Sequence, residues 1–228
     1  MRRASRLALL IGSLLGIAHN GAAEPEGPPP GRLAPSRAGF LRVHGPAAVG
    51  SLTLKERSEL LEGWVVSRPL QLESRGDRAV GGVSYVLVDA PPGVVLRSLV
   101  DVAKLPELLP RTQRATLVHA EPGRQVVELT SGTALVSATY SVVLERDGEQ
   151  VRFRLDPSRP AGIRDTWGFF RVQEFDGRRS LLTVAAVVDL GPGLARALFE
   201  GRVQSLILGM PDRIRTKLAP VAVARQGR

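Results

Sequence analysis

The sequence predicts an α+β fold with the order strand, helical insert, meander of strands and closing amphipathic helix. Three observations predict it. The stretch Asp89–Arg111, DAPPGVVLRSLVDVAKLPELLPR, breaks a series of alternating runs with prolines and helical periodicity. Six extended-type runs follow between 112 and 190, each bounded by turn-forming residues. After GPG at 191–193, apolar residues recur at helical spacing as far as Leu218.

The folded part begins with LTLKERSELLEG, where Leu54, Leu60 and Leu61 with a closing Gly63 predict a short helix. WVVSRPLQLES reads as extended, with Pro69 marking an edge strand or a break. GVSYVLVDA is the first main strand. A helix is predicted over Pro91 to Ala103, since Pro92 suits a first turn and Val95, Leu99 and Val102 share one face that Leu96 and Val100 widen. KLPELLP adds at most one more turn, closed by Pro110. The strands that follow are Thr112–Ala120, Gln125–Ser131, Ala134–Arg146, Gln150–Asp156, Ile163–Phe175 and Ser180–Leu190, with EPGR, SGT, RDGE and PSRPAG among the breaks between them. The closing helix runs from Leu194 to about Leu218 along Phe199, Val203, Leu206, Ile207, Met210, Ile214 and Leu218. Pro211 removes one helix hydrogen bond and is expected to kink it.

Ahead of this domain, residues 1–23 read as a secretory signal peptide. Arg2, Arg3 and Arg6 precede the apolar run Leu7–Ala18, and Gly21-Ala22-Ala23 offers small residues for cleavage near Ala23. The run is short for a membrane span, and an uncleaved N-terminal anchor is the alternative. Residues 24–50 hold six prolines and five glycines and form a flexible linker. The domain is expected to occupy 51–220, with a disordered tail at 221–228. Periplasmic or secreted localisation follows from this reading.

There is no cysteine, which excludes disulfides, thiolate metal sites and cysteine nucleophiles together. The core must therefore hold the domain, and a domain of roughly 170 residues buries about 70% of its unfolded surface. Removing residues 1–23 takes away three arginines and no acid, lowering the net charge from +9 to +6. Lys55, Lys104 and Lys217 are the only lysines, so arginine carries almost all of that charge. A basic surface of this size favours anionic partners, either a membrane face or a polyanion.

The segment YVLVDAPPGVVLRSLVDVAKLPELLPRTQRATLV resembles the opening of the START and polyketide cyclase/dehydrase (SRPBCC) superfamily. DTWGFF, LLTVAAVVDLGPG and the final helix are similar to its later strands and closing helix. The likeness covers about Gly82 to Ala219, and the order of elements carries it rather than any one motif. Within the superfamily the chain looks most like the coenzyme Q-binding and lipid-transport branch. The resemblance implies a helix-grip (START/Bet v 1-like) fold: a bent antiparallel sheet wrapped around the terminal helix, with an apolar cavity between them. It also implies ligand carriage in most members and enzymatic activity in some.

The strand patterns supply candidate lining. Alternation places Ala134, Val136, Ala138, Tyr140, Val142 and Leu144 on one face, Val151, Phe153 and Leu155 on another, and Leu182, Val184, Ala186, Val188 and Leu190 on a third. The alanines leave volume that leucine would fill; close packing against the helix accounts better for any one of them, while together with the implied fold they favour a cavity. The candidate ligand-binding residues are Leu108, Arg111, Val136, Ala138, Tyr140, Phe153, Trp167, Phe169, Ala186, Phe199, Val203 and Ile207.

Polar candidates are few. His119 is the one histidine in the domain and gives no triad or metal pattern. Arg111 follows the helical insert and either meets an anionic head group or is a solvated surface residue. Asp165 shares a strand face with Trp167 and Phe169. If that face points inward, Asp165 is a weak candidate for acid–base work; otherwise it pairs with Arg164 or Arg159. Arg196, Arg202, Arg213, Arg215 and Lys217 make the closing helix's outer face basic, either to dock on anionic lipid or as an ordinary solvated face.

These features point to a monomeric, exported protein that holds a hydrophobic small molecule, lipid or quinone-like, without chemical change. No cofactor, metal or nucleic acid is expected. The alternatives are a cyclase- or hydrolase-like enzyme of the same fold, which needs convergent polar groups inside the sheet, and a cavity-free interaction domain at the membrane surface.

Overall fold

Thr53 fixes the start of α1 (Leu54–Leu61) through a capping box: its Oγ1 accepts from the Glu56 N–H at 3.2 Å, and Glu56 Oε2 accepts from the Thr53 N–H at 2.8 Å. Gly63, at φ +90°, turns the chain out of the helix. The computed structural model describes residues 52–74, 77–133, 136–191 and 194–226. The expected signal peptide and linker lie outside the described residues.

β1 (Val66–Ser74) and β2 (Asp77–Val88) form an antiparallel pair. Next come α2 (Pro92–Val100), a 3-10 turn (Val102–Lys104) and α3 (Leu105–Leu108). The predicted Pro91–Ala103 helix thus ends at Val100, where Asp101 is extended and its carboxylate accepts from the Ala103 N–H to start the tighter turn.

Strands β3 (Thr112–Glu121), β4 (Arg124–Gly132), β5 (Ser137–Asp147), β6 (Gln150–Leu155), β7 (Asp165–Glu174) and β8 (Ser180–Asp189) follow as a meander. The sheet has the order β1-β2-β8-β7-β6-β5-β4-β3, all antiparallel, and β2 closes on β8 with Val86 opposite Leu182. β1 is an edge strand, the position where a residue without an N–H, Pro69, is tolerated.

The chain ends in α4 (Leu194–Leu208) and α5 (Met210–Gln226). The sequence predicts a single kinked helix here; the structure has a break at Gly209 instead. Pro211 then falls in the first turn of a new helix, where its missing N–H has no intrahelical acceptor to lose. α5 continues to Gln226, past the expected end at Leu218 and through part of the expected tail.

Both faces of the sheet are covered. On the inner face Val86, Leu129, Val142, Phe170 and Leu182 pack with Leu96 and Leu99 of α2, Leu108 of α3, and Ile214 and Leu218 of α5. On the outer face Leu60 of α1 sits on Val83, Tyr85, Leu87, Trp167, Phe169 and Val187. The Arg68 guanidinium meets Glu56 through two hydrogen bonds of 2.9 and 2.8 Å, tying β1 to α1. That pair, with the capping bonds, holds the Glu56 carboxyl down at about 2.

Candidate functional site

The inner rows change character along the strands. Val142, Leu144, Val151, Phe170, Leu182 and Val184 are buried. Towards the end where β3 begins and β8 finishes, Ala138, Tyr140, Phe153, Leu155 and Val188 are only half-buried. Register puts these residues on the same face, since Val142 pairs with Leu155, Leu144 with Phe153, and Phe153 with Gly168. The result is a partly exposed apolar strip, the trough, on the inner face. Its base is the Phe153–Phe170 contact, with ring centroids 5.4 Å apart.

One polar row crosses the trough. Tyr140 Oη lies 3.3 Å from Ser131 Oγ, which lies 3.3 Å from Thr112 Oγ1. Burial pushes the Tyr140 phenol pKa up, and the Ser131 contact only partly offsets this. The row adjoins Arg111, which is exposed and holds a left-handed backbone at φ +57°. The Arg111 carbonyl accepts from the Gly132 N–H at 2.8 Å, pinning the start of β3 to the end of β4.

Ala138, Tyr140 and Phe153 share the inner face, with Leu108 buried in the same inner core. Ile207 is buried in α4, and Phe199 and Val203 are half-buried. The α4 residues that meet β1 and β2 are offset from that stripe. Glu200 pairs with Arg78 at 2.6 Å, and Gln204 donates to the carbonyls of Leu70 and Gly81 at 3.1 Å each. Leu208 packs over Gly82.

Several expectations are corrected. Trp167 and Phe169 belong to the outer cluster under α1 rather than to the inner face. Asp165 lies on that same outer row, so the condition for its acid–base role is not met; the inner residues of β7 are Thr166, Gly168, Phe170 and Val172. Of the two arginines weighed as its partners, Arg159 binds Ser141 and faces Glu128 instead, while Arg164, its chain neighbour, also lies 3.9 Å from Asp189. Val136 precedes β5 and is 59% exposed.

Ala186 is inward but buried between Gly82 and Gly168, and the Phe153 ring and Leu208 take up the volume these small residues leave. Arg215 does not add to a free basic face, because it donates to the Gly63 carbonyl at 2.5 Å and pairs with Asp212. His119 is exposed and meets Glu121 at 2.9 Å.

Sequence reasoning missed the hydroxyl row, because Thr112, Ser131 and Tyr140 are aligned only by cross-strand register. It also missed a cleft of about 190 Å³ at the opposite end of the inner face, where Val100 and Leu144 meet Arg124, Gln125 and Arg146. Among the described residues no cluster of His, Asp or Glu is placed to hold a metal ion, and no helix is long and apolar enough to cross a membrane.

No family model matches the sequence, and no curated protein matches it significantly. Solved structures do match the fold. A protein from Thermus thermophilus aligns at a TM-score of 0.52 with 17% identity, over 63% of this chain and 97% of that one. The STAR-related lipid transfer protein from Xanthomonas axonopodis aligns at 0.51 with 16% identity, over 67% of this chain and 98% of that one. The chain has the START-like helix-grip fold.

Proposed function

We propose that this chain is a binding protein that carries a hydrophobic small molecule, lipid or quinone-like, in the trough between the inner sheet face and the C-terminal helices, without changing it chemically. The observation that carries the reading is the run of half-buried apolar residues Ala138, Tyr140, Phe153, Leu155 and Val188 on an otherwise dry inner face. Leaving such a row open to water forgoes roughly 25 cal/mol for every Å² that a ligand would cover. The fold shared with a lipid transfer protein supports the same class of ligand. The arginine-rich surface and the N-terminal sequence support export and contact with an anionic membrane face, with the protein acting as a monomer.

Native mass spectrometry of the purified chain, followed by organic extraction, tests the reading. A one-to-one apolar adduct is expected, and Val188→Phe, which fills the open end of the trough, is expected to lose it while keeping the fold. A chain that stays ligand-free after incubation with total lipid and quinone extracts refutes carriage.

A further inference from the structure

Taking the trough as the binding site proposed above, we infer that it is built for an amphiphile carrying a neutral oxygen acceptor, a carbonyl or hydroxyl oxygen, that enters oxygen first and accepts a hydrogen bond from the Tyr140–Ser131–Thr112 row. Three hydroxyls carry three O–H donors, and the two links of the row, each 3.3 Å, use two of them. One donor is therefore left over whichever way the row is oriented. These hydroxyls are half-buried, so a ligand that covers them takes away the water the spare donor would otherwise meet, and a ligand oxygen placed there is favoured over a purely hydrocarbon end.

Position points the same way. In β5 the inner sequence is Ala138, Tyr140, Val142, Leu144, so a single hydroxyl interrupts an apolar row, and it does so at the half-buried end. Leu129 lies opposite Tyr140 and Ala115 opposite Leu129, which surrounds the phenol ring with hydrocarbon. Charge favours a neutral head. Tyrosine, serine and threonine are uncharged donors, and burial raises the Tyr140 pKa, so the phenol keeps its proton through the physiological range. Within the row, the backbone on either side is held by β3–β4 and β4–β5 pairing, with Thr112 opposite Ser131 and Tyr140 opposite Leu129. The hydroxyls are thus set before a ligand arrives, which limits the entropy that binding must recover.

The test uses two probes of nearly equal shape, 2-acetylnaphthalene and 2-ethylnaphthalene, titrated calorimetrically into the full chain. The unaltered protein is expected to bind both, the ketone more tightly. Tyr140→Phe is expected to weaken the ketone about tenfold and to leave the hydrocarbon within about twofold, the size of one hydrogen bond. Ser131→Ala, which breaks the row without touching the ring, shifts ketone affinity the same way by a smaller factor and serves if the tyrosine variant fails to fold. Equal effects on the two probes, or none on either, overturn the inference while leaving the apolar trough standing. If the unaltered chain binds neither probe, the trough itself is not a binding site and both readings fall together.

Discussion

Gly168→Ala is the sharpest probe of the inner face. Gly168 lies on β7 opposite Ala186 of β8 and Phe153 of β6. An alanine Cβ there would stand 2.0 Å from the carbonyl oxygen of Ala185 and 2.6 Å from Cζ of Phe153. The phenyl ring is free to swing away. The carbonyl cannot move without opening the β7–β8 ladder at the centre of the sheet. Overpacking of a well-filled interior costs about 1–3 kcal/mol, and a clash with backbone belongs near the upper end. For a chain of 150–250 residues each kcal/mol is worth about 2–4 °C in Tm, so a fall of about 6–12 °C is expected. Differential scanning calorimetry measures it. The displaced ring would also enter the trough, so the variant is expected to bind 2-ethylnaphthalene more weakly. Gly201→Ala is the control: nothing lies within 4 Å of its added Cβ, and the site is an exposed position inside α4. That change is expected to raise stability by about 0.5–1 kcal/mol through helix propensity alone. A Gly168→Ala Tm within about 2 °C of the parent, less than the smallest overpacking cost allows, would refute the account of how the small residues of the inner face are filled.

Gln204→Leu removes the donor to the Leu70 and Gly81 carbonyls; a loss of about 2 kcal/mol in urea unfolding is expected, with faster amide exchange along β1. Glu56 has its pKa lowered from 4.5 to about 2 in the folded chain, so its contribution is complete above the unfolded value and is lost as pH falls through the folded one. Denaturant titrations from neutral pH down through that window should show the loss in the parent. Glu56→Gln should remove it and cost about 0.5–1 kcal/mol at neutral pH, since the pair lies near the surface. Val188→Phe should change Tm by no more than about 2 °C while abolishing co-purified ligand, because the position it enlarges is only half-buried; a large Tm loss would mean the space is already filled.

The sequence by itself determined the element order and most of the inward rows of β5 and β6, and it limited Pro69 to an edge strand or a break. In β5 and β6 one face is apolar and the other mostly polar, and proline restricts its own placement, so local periodicity decides much of the outcome. β7 and β8 were different. In DTWGFFRVQE and SLLTVAAVVD apolar residues occupy both faces, and no pattern of period two can say which side is in. Only the tertiary structure decided that, because the outer face carries a buried cluster of its own that encloses Trp167 and Phe169 as fully as the inner core encloses Phe170 and Val172. The hydroxyl row and the volume beside Ala186 were hidden for the same reason. Thr112, Ser131 and Tyr140 are 28 residues apart from end to end, and their alignment is a property of register between three strands. Likewise, whether an alanine leaves a hole depends on the Phe153 ring that lies over its neighbour's glycine. Periodicity is local and survives in the sequence; which surfaces meet across the sheet is settled only when the whole chain packs.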